Sequence, residues 1–242
     1  MNNGTLNYGD QTIDYLILRS KNLDKKILIH VYPNGQVEVE IPRTSTGLEV
    51  HQAVKKRARW IMKQLKVGVD ARAHVLPREY VSGETHFYLG RRYQLKIHET
   101  NAEPSSVKLV GGHILITLRV RDRAAVKNRL QRWYKERAMD YLSLRLALIA
   151  SELLWLDDVP PLKLVRMQKQ WGSCSPTGAI NLSPDLIKAP RDCVDYVITH
   201  ELCHLREHNH SKKYYALLDA CYPNWRVTKS KLDAMAELIL AD

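Results

Sequence analysis

The sequence has few cysteines and no long hydrophobic run. It contains four cysteines in 242 residues, and no two of them have the C-x-x-C spacing of a zinc ribbon or a thioredoxin-like motif. Four thiols in a chain of this length do not form a disulfide framework, so we expect a reducing, cytoplasmic location. The most apolar stretch, residues 141–156, is interrupted by Arg145 and Glu152 and is too short and too charged to span a bilayer. The polar residues 1–10 contain no apolar segment, so we expect no signal peptide and no membrane partner.

Repeats and low-complexity segments are also absent, and the composition is that of a folded protein. Apolar residues account for 45% of the chain and charged residues for 26%, both typical of globular proteins. A chain of 242 residues forms one large domain or two small ones, and it can bury a core without disulfide bonds. These features exclude collagen-like, fibrous and largely disordered proteins.

Basic residues are concentrated in the first part of the chain. The net charge is +11 overall, and residues 1–150 carry +12 while residues 151–242 carry −1. Such an excess predicts contact with nucleic acid or another polyanion through the densest segment, 119–137; the alternative is a solvated helix face. Trp133 and Tyr134 within it are more typical of core residues than of base-stacking platforms. The basic residues of this segment are Arg119, Arg121, Arg123, Lys127, Arg129, Arg132, Lys135 and Arg137.

Hydrophobic patterns predict a β-rich first half with one helix. Strands are predicted over residues 12–19, 26–41, 86–98 and 106–119. Turns are predicted at Pro33-Asn34-Gly35, at Gly90 and at Gly111-Gly112. Residues 47–66 predict a helix whose apolar stripe consists of Val50, Val54, Ala58, Ile61 and Leu65.

The second half is predicted to be mostly helical around one further hairpin. The hairpin covers residues 162–183, with a turn at Pro176-Thr177-Gly178. Helices are predicted over residues 122–156, 190–209 and 211–220, the last of them capped by Ser211 and stopped by Pro223. We therefore expect an α+β fold, with a β-rich domain over residues 1–120 and a second domain over residues 121–242.

Residues 200–204 form an H-E-x-x-H motif inside the predicted helix 190–209. Residues four apart share one face of a helix, so His200 and His204 can bind one Zn²⁺. Glu201 lies about 100° round the helix from His200 and can reach a water molecule on the metal. Zinc brings the pKa of such a water towards neutrality and a carboxylate can take its proton, which is the chemistry of metal-assisted hydrolysis. The alternative is a helix with two surface histidines.

A third histidine ligand is expected beyond the end of this helix. A turn there can fold His210 back onto the metal, which leaves one coordination position open for water. His208 is the competing candidate, because its spacing from His204 places it near the same face if the helix continues. We favour His210, because a ligand beyond the helix end can approach from another direction. Cys203 lies on the other side of His200 and is interpreted as a small buried thiol.

Several segments match the pattern of a known family. They are residues 166–174 (R-M-Q-K-Q-W-G-S-C), 196–204 (Y-V-I-T-H-E-L-C-H), 209–211 (N-H-S), 18–20 (L-R-S) and 88–93 (Y-L-G-R-R-Y). With these segments the chain resembles the YgjP-like metallopeptidases, relatives of the SprT-like and WLM zincins, over nearly its whole length. The resemblance implies a minimal zincin-like core in the second domain and a peptide or protein substrate. The site residues it implies are Glu201 as catalytic acid–base and His200, His204 and His210 as zinc ligands.

The sequence departs from the family pattern outside the implied metal site. Residues 181–183 lack the usual tryptophan, Tyr214-Tyr215 replace the usual Phe-Trp, and the zinc ribbon of the SprT-like relatives is absent. Residues 171–174 (W-G-S-C) stand where a zincin has an edge strand, with which an extended substrate pairs, and Gly172 permits close approach of a backbone. The alternative is a packing turn with a buried tryptophan. Candidate donors to a developing oxyanion are Ser173, Arg206, Tyr214 and Tyr215.

Three functions remain in competition. The favoured one is a zinc-dependent metallopeptidase in which metal-activated water attacks a peptide bond with Glu201 as general base. Nucleic-acid binding through residues 119–137 can accompany it. The second is a zinc-dependent pyrophosphohydrolase of nucleoside triphosphates, although the sequence has no Walker motif and no paired-carboxylate metal cluster. The third is a basic nucleic-acid-binding module with structural zinc.

Overall fold

A computed structural model of the chain describes residues 2–9, 11–20, 26–31, 35–73, 78–102, 104–167 and 170–240. The chain divides into two units, residues 1–76 and 77–242, and each contains its own cluster of buried apolar side chains. Strands dominate the first part of the chain and helices the second, which confirms the predicted α+β class. Within the described ranges, no helix combines the length and the apolar character needed to cross a membrane.

The first unit contains a four-stranded sheet. Its strands are β1 (Asn2–Tyr8), β2 (Gln11–Ser20), β3 (Leu28–Val31) and β4 (Val37–Pro42), in the order β1-β2-β4-β3. β3 and β4 pair antiparallel, as the predicted hairpin requires, while its turn residues Pro33 and Asn34 lie outside the described residues. β2 and β4 pair in parallel, which no sequence pattern predicted.

Helix α1 (Gly47–Ala73) packs against this sheet and extends the predicted helix 47–66 at its carboxyl end. It begins at a capping box. The Thr46 backbone N–H donates to Glu49 Oε2 (2.7 Å), and the Glu49 backbone N–H donates to Thr46 Oγ1 (3.3 Å). The predicted apolar stripe enters the core, since Val50, Val54, Ala58 and Ile61 are fully buried. Burial of this stripe fixes which face of α1 meets solvent.

The second unit begins with another four-stranded sheet. Its strands are β5 (Thr85–Tyr88), β6 (Arg91–Glu99), β7 (Ser106–Val110) and β8 (His113–Leu118), in the order β5-β6-β8-β7. The predicted turns are confirmed at Gly90 (φ 77°) and at Gly111 and Gly112 (φ 52° and 81°), where left-handed backbone favours glycine.

Helix α2 (Arg123–Glu152) follows this sheet and shares its core. Asp122 caps the helix by accepting a hydrogen bond from the Ala125 backbone N–H (3.0 Å). Leu95 and Ile114 of the sheet and Leu130 of α2 belong to one buried apolar cluster. The predicted domain boundary at residue 120 therefore differs from the observed division between residues 76 and 77, because β5–β8 and α2 bury their apolar faces together.

A small three-stranded sheet lies between α2 and the remaining helices in the sequence. It consists of β9 (Leu162–Leu164), β10 (Gly172–Cys174) and β11 (Ile180–Leu182), in the order β10-β11-β9. β10 and β11 pair antiparallel around the predicted turn at Gly178 (φ 81°). The beginning of the predicted hairpin 162–183 is wrong, because β9 pairs with β11 in parallel and is not an arm of the hairpin. β10 is thus an edge strand, as the resemblance implied.

Three helices complete the second unit after a 3₁₀ turn (Pro184–Lys188). They are α3 (Arg191–Cys203), α4 (Lys212–Cys221) and α5 (Trp225–Leu240). The predicted end of α3 at 209 is wrong, because the backbone N–H groups of Leu205 and Arg206 bond to carbonyls only three residues earlier. Ser211 caps α4 as predicted (3.3 Å to the Tyr214 backbone N–H), and no pattern after Pro223 predicted α5.

Candidate metal centre

Helix α3 carries the three residues of the H-E-x-x-H motif. Val194, Ile198 and Leu202 of the same helix are fully buried, which holds α3 in the core of the second unit. The rings of His200 and His204, one turn apart, have centroids separated by 5.1 Å. The helix therefore presents two imidazoles next to one another, as the spacing of the motif predicts.

His210 reaches these two imidazoles from the segment between α3 and α4. Its Nε2 lies 3.1 Å from Nε2 of His200, and one nitrogen of each of the three rings lies within 4.8 Å of the others. Two nitrogen ligands about 2.05 Å from a tetrahedral zinc are roughly 3.3 Å apart, so this spacing fits one zinc-sized cation. His208 instead contacts the carbonyl oxygen of His204 through Nδ1 (3.0 Å) and lies outside the cluster. The structure thus brings together the three histidines that the sequence favoured.

Hydrogen bonds and stacking orient the rings. His204 donates from Nδ1 to the carbonyl of Glu207 (3.1 Å), which leaves the lone pair on Nε2. The Tyr214 ring stacks on His204 (centroids 4.5 Å apart), and its hydroxyl donates to the carbonyl of His200 (3.1 Å). Tyr214 is fully buried, so it fixes both histidines from beneath.

Burial keeps the three imidazoles in the neutral form that binds a cation. It lowers the pKa of His200 to about 3, with further contributions from the imidazoles of His210 and His204. Burial is also the main cause of the lowered pKa of His204 and of His210. Neutral imidazole nitrogens are preferred ligands of zinc, so the cluster has the chemistry that a resident zinc ion requires.

Glu201 is buried between α3 and β10. Burial raises the pKa of its carboxyl to about 8, against the opposing effect of a hydrogen bond from the Cys174 backbone N–H. A Cβ added at Gly172 would lie 2.7 Å from Cγ and 2.9 Å from Oε1 of Glu201. The group that lies against Gly172 is thus the side chain of the catalytic candidate, whereas the sequence predicted the approach of a backbone, and glycine is required there for lack of space.

A row of aromatic rings supports His210. Tyr215 stacks on His210 (centroids 6.0 Å apart, 28° between planes) and on Trp225 (5.6 Å, 16°). Trp225 in turn stacks on Tyr196 (6.4 Å, 9°). Tyr196 stands one helical turn before His200, a spacing that could have marked it from the sequence, whereas Trp225 belongs to the unpredicted helix α5.

A family model matches most of the chain. The model of the family described as "YgjP-like, metallopeptidase domain" matches residues 25–235. The chain belongs to the YgjP-like metallopeptidases. It is thus a hydrolase of peptide bonds from a metal-dependent family, and the family implied by residues 166–174, 196–204 and 209–211 is confirmed.

Comparison with individual proteins finds little likeness to this YgjP-like metallopeptidase. The crystal structure of the metallopeptidase zymogen of Pyrococcus abyssi abylysin is similar at 18% identity and a TM-score of 0.31. The match covers 45% of this chain and 94% of that one. None of the curated proteins matches the chain.

The four candidate oxyanion donors of this YgjP-like metallopeptidase differ in their surroundings. The Tyr214 hydroxyl is buried and already donates to the carbonyl of His200. Ser173 alternates with Gly172 along β10 and so turns away from α3. The Arg206 guanidinium lies over an indole ring, 5.9 Å from its centroid. Tyr215 is exposed beside the histidine cluster, which makes it the candidate best placed to meet a substrate.

The basic segment 119–137 is partly engaged with the protein itself. Trp133 and Tyr134 are buried, which confirms their interpretation as core residues. Half of the eight basic side chains have partners within the second unit, namely Arg123, Lys127, Arg129 and Arg137. Only the contact of Arg137, with Asp140, is with an acidic side chain.

Proposed function

We propose that this YgjP-like protein is a zinc-dependent metallopeptidase in which His200, His204 and His210 hold the metal and Glu201 is the general acid–base. The observation that carries the proposal is the 3.1 Å approach of His210 Nε2 to His200 Nε2, made from a separate segment of the chain. Three imidazole ligands suit zinc and leave a fourth position for water or substrate, as in catalytic rather than structural sites.

The residues around the cluster supply the remaining chemistry. A zinc ion bound there contributes Lewis acidity, which lowers the pKa of a water molecule and polarises the scissile carbonyl. Glu201 accepts the proton of the attacking water at its carboxylate and later delivers it to the leaving amine nitrogen. Its position next to β10, away from bulk water, and its raised pKa of about 8 suit a group that must both take and give a proton near neutral pH.

The free side of β10 supports an extended peptide as substrate. Trp171 and Ser175 hydrogen-bond across the hairpin to the β11 side (2.8 Å in both cases). Because bonding positions alternate along an antiparallel pair, the backbone groups of Gly172 and Cys174 face the open edge. The Cys174 N–H donates to Glu201, so Gly172 remains to pair with a substrate strand directly beside the general base.

Tyr215 is the proposed donor to the oxyanion that develops on the attacked carbonyl. Its ring is 38% exposed and stacks on His210, so its hydroxyl can approach a substrate held at the histidine cluster. Tyr214, by comparison, has its hydroxyl committed to a backbone carbonyl.

The variant Glu201→Gln tests the catalytic role. We expect it to keep its fold and bound zinc while its kcat/KM on peptides released from denatured casein falls by about 10²–10⁴-fold, the range of general acid–base catalysis. Zinc content, measured by elemental mass spectrometry, separates loss of metal from loss of the base. Unchanged hydrolysis in a folded, zinc-loaded variant would contradict the proposal.

Two further variants test the ligand set. His210→Ala should lose most of the one zinc expected per chain, whereas the matched control His208→Ala should retain it, because His208 lies outside the cluster. Zinc retained in a folded His210→Ala variant and lost in His208→Ala would reverse the assignment.

The other predicted functions stay predictions. Hydrolysis of nucleoside triphosphates is tested by phosphate release from wild type and Glu201→Gln, since equal rates mean contamination. Nucleic-acid binding through residues 119–137 stays a prediction, and half of the basic side chains of this segment contact the protein itself. A cytoplasmic location is supported by the four cysteines, which are free thiols.

A further inference from the structure

Helix α1, in the first unit, carries charge of one sign along residues 50–66, between its two acidic residues Glu49 and Asp70. Between residues 50 and 66 it contains six lysines and arginines and no acidic residue. All six are exposed, and none of them has an acidic partner in the part of the chain that the structure describes. They are Lys55, Lys56, Arg57, Arg59, Lys63 and Lys66. A surface helix that serves solubility alone normally mixes the two signs.

Five of these residues form a continuous stripe. At 100° per residue, Lys55, Lys56, Arg59, Lys63 and Lys66 fall within an arc of about 100°, and they extend over roughly 16 Å of helix axis. We call this set the α1 stripe. The exposed Trp60 (40%) borders it. The stripe is therefore a linear array of cations rather than a scatter of single charges.

The apolar side of α1 is not available for insertion into a membrane. An amphipathic helix binds a bilayer by inserting its apolar face between the lipids. Here Val50, Val54, Ala58 and Ile61 are at most 1% exposed, because they form the core with the sheet β1–β4. The exposed side chains of residues 50–66 are the six cations, Gln52, Gln64 and one indole ring, so the partner that complements this face is a polyanion.

We propose that the α1 stripe binds the sugar–phosphate backbone of nucleic acid. B-DNA presents one phosphate per about 1.7 Å of its axis, so a 16 Å array of cations meets enough phosphates for each of its five side chains. Contacts of this kind carry no base information and give binding that depends on salt rather than on sequence. The site lies in the first unit and does not depend on the metallopeptidase chemistry proposed for the second.

Titration of the full-length chain against a fluorescent 20-base-pair DNA duplex tests the proposal. Five neutralised phosphates predict a slope of about −4.5 for log K against log salt, a loss of on the order of 500-fold between 50 and 200 mM KCl. The variant Lys55→Gln/Arg59→Gln/Lys63→Gln should make this slope shallower, with a value of about −1.8. These side chains are exposed and glutamine is a good helix former, so the fold should survive; circular dichroism checks it.

The matched control removes three charges from the other basic segment. Arg119→Gln/Arg132→Gln/Lys135→Gln changes the net charge equally and should leave the slope within about one unit of wild type. If this control loses the salt dependence and the α1 variant keeps it, the proposal is overturned in favour of residues 119–137. An absence of duplex binding by wild type at 50 mM KCl also overturns it.

Two further measurements identify the polyanion and test the rest of the α1 stripe. Vesicles of phosphatidylcholine with 30% phosphatidylglycerol should bind the chain at least tenfold more weakly than the duplex, and the reverse order overturns the proposal. A second variant, Lys56→Gln/Lys66→Gln, should make the slope on the duplex shallower by about 1.8, in addition to the effect of the triple α1 variant. None of these binding measurements depends on peptidase activity. A negative result on nucleic acid therefore leaves the metallopeptidase proposal intact.

Discussion

Replacing Gly172 by alanine tests the placement of Glu201 more directly than changing Glu201 itself. The new Cβ would lie 2.7 Å from Cγ and 2.9 Å from Oε1 of Glu201, and 3.0 Å from Cδ2 of Leu182. Carbon atoms at optimal separation are about 3.5–4.0 Å apart, so the glutamate or β10 must shift by on the order of 1 Å. Leu182 and Glu201 are both buried, which leaves no space into which either can move freely.

The size of the effect follows from this shift. Misplacement of a catalytic group by about 1 Å costs roughly 10²-fold, so we expect kcat/KM of Gly172→Ala to fall by about that factor. Overpacking costs about 1–3 kcal/mol of unfolding free energy, and alanine offsets about 0.4–1 kcal/mol of it by restricting the unfolded chain. At about 2–4 °C per kcal/mol, the melting temperature should fall by only a few degrees.

The assay measures hydrolysis, zinc content and stability of the same preparations. A fluorogenic peptide chosen from the wild-type digest of denatured casein gives kcat/KM, and the three histidine ligands should still hold zinc. Gly47→Ala is the matched control, because its added Cβ meets no atom within 4 Å. Wild-type kcat/KM in a folded, zinc-loaded Gly172→Ala protein would refute the assignment of Glu201 as the base at this position.

Two further predictions concern pH and the support of His210. The raised pKa of Glu201, about 8, means that the folded metal-free protein binds more protons than the unfolded chain between pH 4.5 and 8, so its stability should fall as pH rises from 6.5 to 8. The loss should be about 2 kcal/mol, and Glu201→Gln should abolish it; urea unfolding in the presence of a chelator measures both. The three histidines, whose pKa values are all lowered, act in the opposite direction below pH 6.5, where the unfolded chain takes up their protons. They outnumber Glu201, so the stability of the metal-free protein should also fall on acidification below pH 6.5. Tyr215→Ala removes the ring stacked on His210 and should weaken zinc binding by about tenfold in a chelator competition, while Tyr215→Phe, which keeps the ring, should bind zinc normally.

Each of these predictions has a clear contrary result. A metal-free Glu201→Gln protein that loses as much stability as wild type between pH 6.5 and 8 would show that another group titrates there. Equal zinc affinity in Tyr215→Ala and Tyr215→Phe would mean that stacking does not position His210. If Tyr215→Phe instead lowers kcat alone, its hydroxyl acts on the substrate, which supports its proposed contact with the oxyanion.

The local elements of the fold could be predicted because they depend on neighbours in the sequence. The stripe of α1 and the turns at Gly90, Gly111-Gly112 and Gly178 are visible as periods and as residues that tolerate left-handed backbone. The carboxyl end of α3 was misplaced because nothing local ends it before Asn209. Its last turn tightens where the chain leads away to bring His210 to the cluster.

Long-range pairing could not be read from the sequence. The parallel pairs β2–β4, β6–β8 and β9–β11 join strands whose connections differ in length and content, and period-two patterns do not state the direction of a partner. The boundary predicted at residue 120 failed to match the observed units for the same reason. Only the packed structure puts β5–β8 and α2 into one core.

The sequence by itself predicted the candidate metal site, because His200 and His204 need only one helix to lie side by side with Glu201 next to them. The tertiary structure decided the rest. It placed His210, and not His208, beside His200 and His204 by the path of the chain after α3, and it placed Glu201 against Gly172, where only a residue without a side chain leaves room. It also stacked Tyr215 and Trp225 beside the cluster from two helices, contacts that depend on the fold because packing joins residues without regard to their order.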